Sequence, residues 1–145
     1  MAAYLSTEMG GSANQTSAPA SYRPTAYAHH ARVRRMRGTF TLNTQTTSDT
    51  LVVGDLPVGA TFAYGVLTSS VSLGTSTLAI GIAGTTGKYR AAAVFTAVDT
   101  PTLFGPAAQV AQAPSAAGER IFGTIATASL PASGTLVVDI YYTMP

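Results

Sequence analysis

The chain has no cysteine, which removes disulfides and thiolate metal sites and leaves the fold to its core, to assembly, or to both. Tryptophan is also absent and aromatic residues amount to 8%, a thin supply for a surface that stacks on sugar rings. Charge is scarce: 10% of residues are charged, against about 25% in an ordinary soluble domain. So weakly charged a surface has little electrostatic protection against association, and much of it is expected to be covered by neighbours. No stretch approaches the ~20 apolar residues of a membrane span. Residues Met1–Glu8 lack the basic start and apolar run of a secretion signal. The expectation is a soluble protein made in a cytoplasm, with no membrane partner.

What is present divides into two materials. Residues 1–38 read as an extended basic and aromatic arm: Gly, Ser, Ala, Asn, Gln and Pro dominate positions 10–26 with no apolar period. Residues 39–145 read as one β-rich domain, long enough to bury a real core. Charge divides the same way. The arm carries five arginines and one glutamate, whereas the body carries Lys88, Arg90 and Arg120 against Asp49, Asp55, Asp99, Glu119 and Asp139. A basic arm on a faintly acidic body suits an acidic partner, nucleic acid, or a second copy of itself. Fully extended, 38 residues reach on the order of 120 Å at ~3.3 Å each. Tyr4, Tyr22 and Tyr27 would then anchor the arm in pockets of a partner, a role tyrosine fills well.

Period-two alternation dominates the body. In Thr135–Thr143, Leu136, Val138, Ile140 and Tyr142 share one face. Phe40, Leu42 and Thr44 alternate over 39–47, and Leu78, Ile80 and Ile82 do so further on. Phe62, Tyr64 and Val66 begin another strand, Ile121, Gly123 and Ile125 a further one, and Leu51–Val53 is a shorter apolar run. Pro-early, Gly-late turns at Asp55–Gly59 and Leu130–Gly134 separate them. The spacing predicts an all-β fold: a single antiparallel β-sandwich, jelly-roll or immunoglobulin-like, behind the N-terminal arm. Leu42, Val53, Phe62, Leu78, Ile80, Ile125, Val138 and Ile140 are its expected core. Two Ala-rich pieces, Ala91–Val98 and Ala107–Ala113, have the composition of a helical turn or two.

No catalytic constellation is visible. Gly81–Lys88 looks superficially like a phosphate loop, but its glycine spacing is one residue too long and Tyr89 replaces the required Ser or Thr; a hairpin turn is expected. His29 and His30 are adjacent and point apart in an extended chain, so no metal site is expected, and no cofactor. Asp49, Asp55, Asp99 and Glu119 sit at turn signals, where carboxylates bond local backbone. The strongest electrostatic feature is the run Arg32, Arg34, Arg35 and Arg37. These guanidinium groups suit the carboxylates of a protein partner, with phosphates as the lesser choice because no aromatic residues interleave with them.

Beside these features stand Gly54–Ala60, Leu73–Gly81, Phe95–Gly105 and Ala128–Val138. In order and style they resemble small β-rich virion proteins of tailed bacteriophages, the decoration or cement proteins of the head. The resemblance covers residues 54–105 and 123–143 and leaves the arm out. It implies a non-enzymatic protein of the capsid surface, often a homotrimer, that clamps neighbouring major capsid subunits and stabilises the shell. Related small β-proteins serve as head–tail connectors, tail tubes and fibre bases. Two readings from other classes stay open: a nucleic-acid module using Arg32–Arg37, and a carbohydrate-binding sandwich.

Overall fold

The computed structural model describes residues 31–144. Eight strands and one helical turn follow in order: β1 (Arg32–Thr41), β2 (Thr50–Leu56), β3 (Thr61–Ser69), β4 (Thr77–Ile82), β5 (Thr85–Val94), β6 (Thr102–Phe104), α1 (Ala107–Val110), β7 (Glu119–Ala126) and β8 (Thr135–Met144). They form two four-stranded antiparallel sheets, ordered β1-β8-β3-β6 and β2-β7-β4-β5.

The pairing is nested. Strand β1 pairs with β8, β2 with β7, β3 with β6 and β4 with β5. The chain therefore reads as one long hairpin wound over itself, and the extra ladders β3–β8 and β4–β7 close each sheet. An immunoglobulin sandwich, with sheets ABED and CFG, has a different order. Apolar side chains from the inner faces meet between the sheets. The core is Leu42, Leu51, Val53, Leu56, Phe62, Leu67, Leu78, Ile80, Ile121, Ile125, Leu136, Val138 and Ile140, with Tyr89 among them.

Composition places residues 32–38 with the arm, and the structure shows them as strand. Residues 32–38 belong to β1 and pair in unbroken register with β8, from Arg32↔Met144 to Thr41↔Thr135. The reason is the inward set at even positions: Met36 packs against the core, Gly38 is buried and Phe40 follows. Arginine on the exposed positions of an edge strand costs the ladder little. Residues 1–30, with Tyr4, Tyr22, Tyr27, His29 and His30, lie outside the described residues.

Three further expectations change. Phe62 and Tyr64 do not share a face, because a bulge between Phe62 and Tyr64 shifts the register against β8. Phe62 is buried while Tyr64 turns outward. Ala91–Val94 completes β5 rather than forming helix, held by pairing with β4 and by Arg90, whose guanidinium donates to the carbonyls of Leu78, Ala93 and Val94. Asp55 and Glu119 lie in strands β2 and β7, not in turns. By contrast, Ala107–Val110 is one helical turn. Gly81–Lys88 spans the β4–β5 hairpin, where Gly84 supplies a positive φ of 80°.

Ile80 and Ile140 are fully buried, each 0% exposed. Replacing either by Ala should destabilise the domain by about 2–5 kcal/mol. Denaturant unfolding should show this as a lower midpoint at unchanged slope.

Candidate interaction face

The outer face of the β1-β8-β3-β6 sheet brings together exposed Val33, Arg35, Tyr64 and Leu103. Alternation along β1 puts Val33, Arg35 and Arg37 on this face, while Arg32 and Arg34 share the side of Met36. Across the ladder Arg35 stands beside Tyr141, and Tyr141 beside Tyr64. The Tyr64 and Tyr141 rings stack at 4.6 Å and 17°. The next row runs Arg37, Asp139, Val66 and Leu103.

Asp139 is the least expected member of that row. It lies on the outer side of β8 yet is only 6% exposed. Arg37 meets it with both arms, Nε donating to Oδ1 at 2.7 Å and Nη2 to Oδ2 at 2.6 Å. Such a fork on a covered carboxylate is strong and directional. Of the four arginines singled out in the sequence, Arg37 is paired within its own chain, with 47% of its side chain still exposed. Arg32, Arg34 and Arg35 are exposed and have no carboxylate within ion-pair distance among the described residues.

At the far edge, Tyr64, Leu103, Phe104 and Gly105 line a shallow apolar groove. Phe104 covers Gly65, where any Cβ would collide with its ring. The close approach requires glycine there. Leu103 is 70% exposed, the most of any large apolar residue described. Neither the groove nor the tyrosine stack is visible as a linear motif. The pleat of a correctly placed β3, bulge included, would have brought Tyr64 out.

A second cluster closes one end of the sandwich. Glu119, the first residue of β7, accepts from Lys88 Nζ at 2.6 Å and from the hydroxyl of buried Tyr89. These residues floor a cleft of about 270 Å³ beneath the segment Gln112–Ala116. That segment is pinned by backbone bonds exchanged between Ser115 and Gly59–Ala60, each 2.9 Å. Burial opposes ionisation of Glu119, but hydrogen bonds from Lys88 and Tyr89 outweigh it and hold the carboxyl below its ordinary value. Burial, reinforced by the Glu119 bond, drives the Tyr89 phenol well above its own. Each carboxylate oxygen accepts one of these bonds, and the trio clasps β5 to β7. The Arg120–Asp55 pair is exposed on both sides and contributes little.

No family model matches the sequence, and no curated protein matches it. Solved structures do. The chain superposes on one from the cyanophage Pam1 capsid asymmetric unit with a TM-score of 0.68 and 23% identity, over 88% of this chain and 96% of that one. It matches a chain from the capsid of Ralstonia phage GP4 at 0.63 and 17% identity, over 79% and 85% respectively. A chain from the acidic stable capsid of Helicobacter pylori bacteriophage KHP30 matches at 0.58 and 14% identity, over 78% and 88%. At these identities the likeness is one of fold.

Two outcomes follow from the ion pairs. Arg37→Met leaves Asp139 covered and unpaired, so it should lower the melting temperature more than the double change Arg37→Met with Asp139→Leu, in which no orphan charge remains. Glu119, with its pKa lowered on folding, contributes stability above its unfolded value near 4.5 and loses it as pH falls through the folded value. The melting-temperature gap between wild type and Glu119→Gln should be open at pH 7 and shrink below about pH 4.

Proposed function

We propose that the chain is a structural virion protein that decorates a phage capsid and stabilises it by bridging major capsid subunits, as a homotrimer and without a catalytic step. The observation that supports this reading is likeness over nearly whole chains. Three matched chains, all from phage capsids, are covered over 85–96% of their length. The strand order, with pairs nested from the termini inward, we read as a jelly roll. The exposed Tyr64–Tyr141 stack and Leu103 groove accord with this role, because Tyr and large apolar groups anchor interfaces. The mechanism is mass action. A protein that binds the closed shell and not its separated subunits shifts the equilibrium toward the shell, and many weak contacts per particle add through avidity.

The test uses the full chain and purified shells of its phage lacking it. Sedimentation should give a trimer, addition should decorate the shell at a fixed stoichiometry, and the decorated shell should break at a higher temperature. Leu103→Asp should weaken decoration while leaving the melting temperature of the free protein unchanged. Shells that neither bind the protein nor gain heat resistance would overturn the reading.

A further inference from the structure

The two sheets have four edge strands, and three are poor templates for another strand. Strand β6 has three residues. Strand β2 is broken by a bulge between Val52 and Gly54, and β5 by irregularities opposite Leu78–Ile80 and Ile80–Ile82. Bulges of this kind are how sheets blunt their edges. Strand β1 has none: its ten residues run in continuous register with β8, and no strand is hydrogen-bonded to its other side among the described residues, with β2 packed close only at Met36–Gly38. One row of its backbone N–H and C=O groups therefore stays without a ladder partner.

Among the described residues, the protection of its Arg32–Arg35 end is charge. In a second copy paired edge to edge, arginines of one β1 would stand among arginines of the other, which is unfavourable. The same side chains fit a strand of opposite sign. Arg32 and Arg34 lie on one face of β1 and Arg35 on the other, and Arg37 is already neutralised by Asp139. Guanidinium groups split between two faces are poorly arranged for a single row of phosphates. They are well arranged for an extended peptide, whose side chains also alternate. We infer that the open edge of β1 receives an extended acidic peptide segment of a protein partner by strand addition, with backbone bonds supplying affinity and Arg32, Arg34 and Arg35 selecting for carboxylates. The inference rests on the edge and its charge and does not require the capsid reading, so shell decoration and peptide binding can fail separately.

The test titrates the full chain with dye-labelled, end-blocked peptides of strand length in which Glu-Glu or Lys-Lys pairs alternate with Val-Val pairs, so that charges stand on both faces, and with short duplex DNA. The acidic peptide should bind at least ~10-fold tighter than the basic one, from the summed cross-strand charge pairs, and weaken as salt is raised. Hydrogen exchange should slow at alternate β1 amides and not at β5. The double variant Arg34→Glu with Arg35→Glu should reverse the preference. The milder Arg34→Gln with Arg35→Gln should abolish it while retaining the fold, checked by melting. Binding of neither peptide, equal binding of both, protection on another edge, or displacement of the acidic peptide by DNA would each overturn the inference.

Discussion

Strand β8 is the element on which the rest of the structure depends. It lies between β1 and β3 and pairs with each along nearly its whole length, so the last residues of the chain hold the first strand and the third together. Its register admits no slip. Moved by one residue, Leu136, Val138 and Ile140 would turn outward and the carboxylate of Asp139 would enter the core. The fork from Arg37 fixes the same register from β1, since its partner stands directly opposite. A covered ion pair of this kind adds less to net stability than to the choice of one alignment over its neighbours.

The nested pairing has a consequence for the surface. Winding a hairpin into two sheets leaves each with two edges, and the bulges in β2, β3 and β5 shape what those edges and faces present. In β3 the bulge carries Tyr64 out of the core to stack on Tyr141, while Gly65 returns to the inner face beneath Phe104. The apolar groove beside Leu103 thus comes from one extra residue in a strand, combined with a glycine that lets an aromatic ring lie flat on the backbone.

Much of this architecture was legible in the residues, and the failures have physical causes. Alternation in Thr135–Thr143 and in Leu78–Ile82 identified strands and their buried sides, because period two survives wherever one face is apolar. Leu42, Val53, Phe62, Leu78, Ile80, Ile125, Val138 and Ile140 are all in the core. Bulges leave no such signature, so period two alone would put Tyr64 on the face of Phe62. Arg32–Gly38 reads by composition as arm because an edge strand tolerates charge on most positions, and only Met36 betrays the inward row. The Arg37–Asp139 pair spans almost the whole chain, and nothing local announces it. Edge position, which gives Arg32, Arg34 and Arg35 their meaning, is a property of sheet order and so of every strand at once.

The distribution of positive charge separates the candidate roles of the arginine run. Within the described fold, Arg37, Lys88 and Arg120 are matched to carboxylates, and Arg90 is spent on backbone carbonyls. The unmatched cations described, Arg32, Arg34 and Arg35, sit together on one strand at one edge. In a protein with so few charges, their field is not diluted by neighbours, and an approaching chain meets it before any contact forms. A nucleic-acid duplex would require these cations on one surface, following the backbone. The pleat of β1 divides them between two faces, and that division is the geometry of one strand addressing another.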